Sequence, residues 1–293
     1  MTIHIQSDLD DPAPIAPFKR QLFKWVGNKQ RFAHEIARHF PTDFRVYREP
    51  FLGSGAVLGT LRPESAVGSD LFVPLMEVWQ QLARDPKVVK SWYLERYQNC
   101  EISGRTEVYD KIKAAYNAHP NGADFLFLSR ACYGGVIRFR KKDGYMSTPC
   151  GAHPLMTPKR FNDRVDLWSE RIRGAEFVVD DYRGAMADAQ RGDLIYCDPP
   201  YVHSQTILYG AQSFDLGELF AEIERCAIRG VRVALSIDGS KKSGRTLCPL
   251  DIPQGLFKRE MLVNMGRSML RRFQMGGQSL ETEMVADRLL LTY

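Results

Sequence analysis

The sequence predicts an α/β doubly wound fold with one long insertion, on three observations. Short, nearly continuous apolar runs recur along the chain, as expected of parallel strands that are buried on both faces. These runs lie at 44–50, 65–70, 175–180, 193–198, 231–237, 257–264 and 286–293. Amphipathic stretches such as 215–229 follow some of the runs and can form the crossover helices that parallel strands need. About a hundred residues separate the second run from the third, far more than the ~2–6 residues of a usual α/β connection, so they predict a module.

The composition is that of a globular chain with a sizeable core. Hydrophobic residues make up 44% of the 293 residues and charged residues 26%, which excludes a mostly disordered chain. No apolar run approaches the ~18 residues of a membrane span, and the start of the chain lacks the basic and apolar regions of a secretory signal. The six cysteines include no C-x-x-C pair, so neither a metal site nor a disulfide framework is indicated. We therefore expect a cytoplasmic protein with reduced thiols, no bound metal and no membrane contact.

The first elements precede the insertion. Residues 1–18 are acidic and Pro-rich without any period, and they predict a mobile arm. Residues 29–40 carry large apolar side chains at four-residue spacing, which predicts an amphipathic helix with Asn28 as N-cap and Pro41 as its stop. A further helical stretch is expected between the first two strands.

The insertion has its own pattern and its own charge. Residues 74–84, 86–99 and 106–118 have helical patterning, whereas 130–151 alternates basic, aromatic and Gly residues like a hairpin or loop. Residues 71–174 contain 17 Lys and Arg against 11 Asp and Glu, in a chain that totals 40 against 35. Because the excess positive charge is concentrated there, we expect an anionic partner to meet this segment.

Two features at strand ends indicate a ligand site. The first strand runs into Gly53-Ser54-Gly55, where glycines let the backbone turn tightly and approach a ligand. On its own, this pattern is more often a plain tight turn. Asp70 ends the next strand, where a carboxylate can accept hydrogen bonds from ribose hydroxyls, although a cap or turn role fits equally well.

The run Asp198-Pro199-Pro200-Tyr201 is more specific, since it follows another predicted strand. Two prolines fix the backbone and remove two N–H donors, so that carbonyl groups can act as acceptors beside the Asp198 carboxylate. A planar amino group with two N–H donors fits such acceptors. The Tyr201 ring offers a face on which a base can stack.

Three motifs together resemble, in order and spacing, the Dam-type (alpha class, D12) adenine-specific DNA methyltransferases. They are KWVGNK at 24–29, FLGSG at 51–55 and DPPY at 198–201, and residues 128–151 look like the target-recognition hairpin of that family. The resemblance implies a Rossmann-like S-adenosylmethionine-dependent methyltransferase core with a doubly wound mixed sheet, formed by 19–70 and 175–293. It also implies that 71–174 is an inserted, mainly helical DNA target-recognition domain.

The family's activity is transfer of a methyl group from S-adenosylmethionine to the exocyclic amino group of a flipped adenine in double-stranded DNA, alone or within a restriction-modification system. No stable protein partner is inferred. By motif position, catalysis would fall to Asp198, Pro199, Pro200 and Tyr201. Cofactor binding would fall to Trp25, Lys29, Phe51, Gly53, Ser54, Gly55, Asp70, Asp181, Tyr182 and Asp198. DNA contacts would come from Arg130, Tyr133, Arg138, Arg140, Lys141 and Lys142.

Alternatives stay open at the level of sequence. Ser129 and Gly134 stand where the family commonly has Asn, so the resemblance does not fix the DNA target site. An RNA adenine methyltransferase, an amino-cytosine methyltransferase and a catalytically silent DNA-binding protein would share much of this pattern. Asp198 at the first motif position favours adenine over cytosine. The Pro149-Cys150 pair, typical of cytosine carbon-5 methylases, lies in the insertion and not after a core strand.

Overall fold

A single mixed sheet forms the centre of the molecule. The computed structural model describes residues 14–140, 142–200, 214–241, 246–247, 251–267 and 284–293. The strands are β1 (Tyr47–Glu49), β2 (Ala66–Asp70), β3 (Ala175–Val179), β4 (Leu194–Cys197), β5 (Arg232–Lys241), β6 (Thr246–Leu247), β7 (Arg259–Arg267) and β8 (Met284–Leu291). Their order is β3-β2-β1-β4-β5-β8-β7, with β6 paired to β5. The predicted α/β fold is confirmed, and the two-residue strand β6 is an addition to it.

The sheet reverses its winding direction beside β1. Strands β3, β2, β1, β4 and β5 run parallel, while β8 is antiparallel to both β5 and β7. The chain proceeds from β1 outward to β2 and β3 and then returns to β4 on the other side of β1. In open α/β sheets, ligands bind beyond the carboxyl ends of the strands at this switch point. The topology therefore places a ligand cleft between the ends of β1 and β4.

Helices cover the sheet and form most of the insertion. They are α1 (Ala33–Ala37), α2 (Ala56–Leu61), α3 (Val73–Arg84), α4 (Pro86–Ser103), α5 (Arg105–Ala118), α6 (Gly122–Ala131), α7 (Pro158–Arg171), α8 (Tyr182–Ala187) and α9 (Leu216–Ile228). The helices predicted at 74–84, 86–99, 106–118 and 215–229 are present with small boundary shifts. Helix α6 was not predicted because its buried residues lie on all sides of the helix, so the sequence shows no single apolar stripe there. Within the described ranges, every helix is too short or too polar to cross a lipid bilayer.

Two predictions near the start of the chain were wrong. Helix α1 begins at Ala33, and Asn28 instead closes a turn, its Oδ1 accepting a hydrogen bond from Gln30 N at 2.6 Å. Phe18, assigned to the mobile arm, is only 5% exposed and meets Trp168 edge-on at a ring-centroid distance of 5.1 Å. Packing therefore begins no later than Phe18, while residues 1–13 lie outside the described ranges.

The insertion helices share one hydrophobic core with the sheet. Trp79 of α3 stacks on Phe177 of β3 at 5.5 Å and also contacts Trp168 of α7 at 5.1 Å. Helix α3 is thus a crossover helix of the sheet as well as the first helix of the insertion. Because the insertion and the sheet share this core, the division into two domains at residue 71 stays a prediction about function.

Residues 132–150 form a hairpin on the insertion. Antiparallel bridges join Cys132 to Cys150 and Phe139 to Met146, and a 3-10 turn covers Tyr133–Gly135. A hydrogen bond from Gly144 N to Arg140 O (2.8 Å) closes the tip. This arrangement agrees with the hairpin or loop expected for 130–151.

Candidate active site

The loop after β1 is built from glycines for steric reasons. Gly53 has a φ of +48°, and a Cβ atom there would lie 2.8 Å from Trp25 Nε1. A Cβ atom on Gly55, at a φ of +59°, would lie 3.0 Å from the Trp79 ring. An L-residue at either position would combine backbone strain with a close contact, which glycine avoids. The Trp79 indole also donates a hydrogen bond to Gly53 O at 3.1 Å, so an insertion helix holds this loop in place.

Four strand ends border one cleft at the switch point. Its volume is about 1080 Å³, a figure that includes space open to solvent. Ten residues expected at the site line it: Trp25, Lys29, Phe51, Gly53, Ser54, Asp70, Asp181, Tyr182, Asp198 and Pro200. The cleft therefore brings together side chains that are up to about 170 residues apart in sequence.

An ion pair lies in this cleft. Lys29 Nζ is 2.7 Å from Asp198 Oδ1, with Lys29 5% exposed and Asp198 18% exposed. Removal of one partner from such a pair leaves a poorly solvated charge, which typically costs about 3–5 kcal/mol. The ammonium group thus balances the carboxylate charge and orients it at the end of β4.

Glu49 is a buried carboxyl group that sequence reasoning missed. Its Oε2 accepts hydrogen bonds from the Tyr47 hydroxyl (2.7 Å) and from Leu58 N (2.9 Å), so it ties β1 to α2. Burial raises the pKa of Glu49 to about 8, with the Asp198 charge adding to the rise, although both hydrogen bonds oppose it. Glu49 therefore holds its proton near neutral pH. Its position at a strand end, directly before Pro50, was the available sequence signal.

Asp70 links the glycine loop to the start of α3. Its Oδ2 accepts a hydrogen bond from Gly53 N at 3.0 Å and its Oδ1 one from Phe72 N at 3.1 Å. Burial raises the pKa of Asp70, while these backbone hydrogen bonds lower it. The turn role expected of Asp70 is therefore present and the residue also lines the cleft, while its binding to ribose stays a prediction.

The segment after β3 forms an acidic and aromatic wall. Asp181 is the N-cap of α8 and accepts a hydrogen bond from Arg183 N at 2.9 Å. Asp180, which was not expected at the site, also lines the cleft and accepts one from Asp181 N at 2.8 Å. The Tyr182 ring stacks on Phe51 at 5.3 Å, with 24° between the ring planes. A planar ligand group would therefore meet both carboxylates and aromatic rings here.

Two buried polar atoms of cleft residues lack a hydrogen-bond partner within the described part of the chain. They are the Tyr182 hydroxyl oxygen and Asn28 Nδ2. A buried polar group without a partner costs about 1–3 kcal/mol. A ligand with polar groups at these points would remove that cost.

Some expected site residues lie elsewhere. Gly55 and Pro199 are absent from the wall of the cleft, although their neighbours line it. Tyr201 and Lys141 lie outside the described residues.

Arg130 faces the protein, so the DNA contact expected of it stays a prediction that this geometry does not favour. Its Nη1 donates a hydrogen bond to Leu22 O at 2.8 Å, and its guanidinium lies over the Phe161 ring at 5.9 Å. Burial lowers the pKa of this group. Because its donor groups face the protein, Arg130 joins the N-terminal segment to the insertion.

The described basic residues of the hairpin itself, Arg138, Arg140 and Lys142, are exposed. Tyr133 is 54% exposed, and Arg138 and Lys142 are also exposed. Arg140 is held locally by an ion pair with Asp143 at 2.9 Å. The hairpin is anchored beside the cleft because its Phe139 ring contacts Phe72, two residues after Asp70, at 5.6 Å.

Comparison with known proteins agrees with this geometry. A family model described as the D12 class N6 adenine-specific DNA methyltransferase matches residues 25–228, which is well over half of the chain. The chain belongs to this family. The matched range contains residues 25–29 of the KWVGNK segment, the glycine loop, the insertion and the DPPY motif. The predicted family and adenine-specific DNA methyltransferase activity are confirmed, which disfavours the RNA and cytosine alternatives.

Curated relatives of the methyltransferase have names that agree with this family. A DNA adenine methylase from Vibrio cholerae serotype O1 is 28% identical over 234 residues, covering 74% of this chain and 81% of the relative. The Retron Ec67 DNA adenine methylase from Escherichia coli is 29% identical and covers 61% and 63% of the two chains. A type II methyltransferase from Lactococcus lactis subsp. cremoris is 24% identical and covers 62% and 66%.

Proposed function

We propose that the methyltransferase holds S-adenosylmethionine in the cleft and methylates the exocyclic amine of an adenine flipped out of double-stranded DNA. The observation that carries this proposal is the ion-paired Asp198 carboxylate, in the same cleft as the glycine loop and Asp70. The proposed cofactor site and the proposed acceptor for the target amino group thus lie in one cleft. The following steps assign a role to each part.

The charge of the cleft suits this cofactor. Among its described lining residues are five carboxyl side chains, which are Glu49, Asp70, Asp180, Asp181 and Asp198, and two cationic ones, Lys29 and Arg183. S-adenosylmethionine has a sulfonium and an ammonium group against one carboxylate, so its net charge is positive. A phosphate-bearing cofactor would be repelled by the four aspartates, whereas Glu49 is protonated near neutral pH. The unpartnered Tyr182 hydroxyl and Asn28 amide supply further polar contacts.

The cofactor, when bound, supplies a methyl group activated by its positively charged sulfur. Asp70 would accept hydrogen bonds from the ribose hydroxyls, because its carboxylate lines the cleft at the end of β2. Asp180 and Asp181 would accept hydrogen bonds from the adenine amino group of the cofactor. Phe51, stacked on Tyr182, provides an apolar wall beside it.

Asp198 prepares the target amine for methylation. The lone pair of an adenine amine is delocalised into the ring, which makes the nitrogen a poor nucleophile. A hydrogen bond from the amine to Asp198 favours a tetrahedral nitrogen, and the Lys29 ammonium holds Oδ1 of that carboxylate at 2.7 Å. The amine loses one proton when it gains the methyl group, and solvent at the open mouth of the cleft takes up that proton. Positioning and fixed polarity then supply most of the rate enhancement.

Prolines and aromatic residues complete the base site. Pro199 and Pro200 fix the backbone after Asp198, and the Pro199 carbonyl is the second proposed acceptor for the amine. Tyr201 is proposed to stack on the flipped base, since every base has a π face. The exposed Tyr133 would fill the space that the base leaves in the duplex. Arg138 and Lys142 would contact the DNA from the same hairpin.

The test is transfer of a radioactive methyl group from S-adenosylmethionine to unmethylated duplex DNA, with the product base identified after digestion. We expect N6-methyladenine in duplex DNA and little transfer to RNA of the same sequence. DNA binding without any transfer would instead identify a silent binding protein. Sequencing of the methylated DNA then gives the target site.

A further inference from the structure

Two cysteines face each other at the base of the hairpin. The backbones of Cys132 and Cys150 pair in an antiparallel β-bridge, and both side chains are free thiols. The backbone hydrogen bonds beside them join their chain neighbours rather than the cysteines themselves. These bonds run from Tyr133 N to Pro149 O and from Gly151 N to Ala131 O, each at 2.8 Å. The cysteines therefore occupy a non-hydrogen-bonded position of the ladder.

This position brings the two side chains close together. Residues in a non-hydrogen-bonded antiparallel pair have Cα atoms about 4.5 Å apart, with side chains on the same face. Disulfides span Cα separations of roughly 4.4–6.8 Å, so the pair lies at the short end of that range. The Tyr109 side chain lies close to both thiols, which raise its pKa after the larger effect of burial. Both sulfur atoms are therefore on the Tyr109 side of the hairpin.

We propose that Cys132 and Cys150 form a reversible disulfide that closes the base of the hairpin when the protein meets a small-molecule disulfide. This disulfide depends neither on the family match nor on a DNA-binding role of the hairpin. It follows from the bridge geometry and from the different exposure of the two thiols.

The chemistry proceeds in two exchanges. Cys150 is half-buried, whereas Cys132 is fully buried, so the Cys150 thiolate attacks the oxidant first. With glutathione disulfide, the S–S bond of the oxidant breaks, a mixed disulfide forms on Cys150 and one glutathione thiolate leaves. Cys132 then loses its proton to solvent and attacks the Cys150 sulfur, which releases the second glutathione. Two protein thiols are oxidised and one glutathione disulfide is reduced to two thiols.

The second exchange is the slow one. Burial raises the pKa of the Cys132 thiol to about 12, with the Cys150 thiol adding to the rise. Because the thiolate is the attacking species, a protonated and buried Cys132 reacts slowly. A mixed disulfide on Cys150 should therefore accumulate before the internal bond forms.

The closed form would hold the hairpin more firmly. The bond encloses residues 133–149, which include the glycine-containing turn after Tyr133 and the exposed Arg138. Closing a loop restricts its alternative conformations. Because thiol–disulfide exchange is reversible, a dithiol such as dithiothreitol should open the bond again.

The test treats the full chain with glutathione disulfide and maps cysteine-containing peptides by mass spectrometry without reduction. We expect a Cys132–Cys150 peptide pair, a fall from the six thiols of the sequence to four, and reversal by dithiothreitol. Cys132→Ala should stop at the mixed disulfide on Cys150, and Cys150→Ser should form neither product. Cys100→Ala is the matched control, because the Cys150 thiol contributes to the raised pKa of the nearby Cys100, and removal of Cys100 should leave the Cys132–Cys150 bond intact.

A Cys100–Cys150 bond, or a mixed disulfide in the wild-type chain that never resolves, would overturn the proposal. A second measurement follows tryptic cleavage within residues 138–142, which should slow at least threefold in the oxidised wild type and not in treated Cys132→Ala. Equal cleavage rates would show that the bond does not restrain the hairpin. Neither measurement involves DNA or methyl transfer, so failure here is separate from failure of the proposed function.

Discussion

Single residues in the cleft have separable tasks that substitution can test. Asp198→Ala should lower methyl transfer at least ~100-fold, because it removes the acceptor of the target amine. Asp198→Asn keeps the shape of the side chain and checks that loss of the charge is the cause. Asp188→Ala removes an exposed carboxylate from the end of α8 and is the matched control. Steady-state transfer to duplex DNA is the measurement, and full activity in a folded Asp198→Ala protein would remove Asp198 from the mechanism.

Asp70→Ala should weaken S-adenosylmethionine binding by ~1–3 kcal/mol, since charge-assisted hydrogen bonds to the ribose are lost. Its bonds to Gly53 N and Phe72 N disappear as well, so the glycine loop becomes less constrained. Titration calorimetry measures the affinity. Asp85→Ala is the control. It removes the N-cap side chain of α4 and should leave the affinity for S-adenosylmethionine unchanged. If both variants bind S-adenosylmethionine with equal affinity, Asp70 acts only in the turn and not in cofactor binding.

Glu49 should make the stability of the protein depend on pH. Its pKa is about 8 in the folded state against 4.5 for the ordinary group, so the folded protein binds more protons than the unfolded chain between these values. The contribution of Glu49 is complete below about pH 4.5 and is lost as the pH rises through about 8. Urea unfolding from pH 5 to 8 should show a fall of roughly 1 kcal/mol per pH unit that Glu49→Gln removes. An unchanged slope in Glu49→Gln would assign the dependence to other groups.

At the scale of elements, the hairpin should divide its DNA contacts between residues that bind phosphates and a residue that reads a base. Lys142→Ala should weaken binding to all sequences and reduce the slope of log affinity against log salt by about 1, as loss of one phosphate contact does. Arg140 is already paired with Asp143, so we expect a smaller salt effect from its removal. Lys111→Ala, on α5 and paired with Glu107, is the matched control. DNA-binding titrations at several salt concentrations measure this slope. If Lys142→Ala keeps the slope of the wild type, Lys142 does not contact a phosphate.

Arg138→Ala should instead lose discrimination between the target site and a changed site, by ~1–3 kcal/mol at one base pair. Arg138 is exposed and lies nearer than Lys142 to the Gly134-Gly135 turn, beside Tyr133. Binding titrations on target and scrambled duplexes compare the two variants directly. A uniform loss on both duplexes would make Arg138 a phosphate contact.

The strands and helices also show which features of the site could be predicted from the sequence. The strand ends carrying Asp70 and Asp198 were predictable because apolar runs and special residues lie next to each other in the chain. The inward direction of Arg130 was not, because it depends on carbonyl groups of residues 21 and 22, over a hundred positions away. Asn28 was misplaced as a helix cap because an Asn-centred turn and an N-cap share the same local preference.

At the scale of the whole molecule, the insertion and the sheet should unfold together. Trp79 and Trp168 are fully buried in a core that also includes Phe177 of β3. Tryptophan fluorescence and far-ultraviolet circular dichroism should therefore give coincident thermal transitions, as expected of one cooperative unit. Phe177→Ala should shift both transitions by the same amount. Two separated transitions would show that the insertion folds by itself.

The shared core has a consequence for how such an enzyme can change its target in evolution. The base of the hairpin is packed into the protein through side chains such as Phe139, which contacts Phe72, and the fully buried Met146, whereas its tip is exposed. Mutations at the tip can alter which DNA sequence is read without disturbing the methyl-transfer cleft. Wholesale exchange of residues 71–174 between relatives would instead separate Trp79 from the glycine loop that it supports. Diversification is therefore expected to accumulate in the hairpin, while the helices beneath it drift slowly with the catalytic sheet.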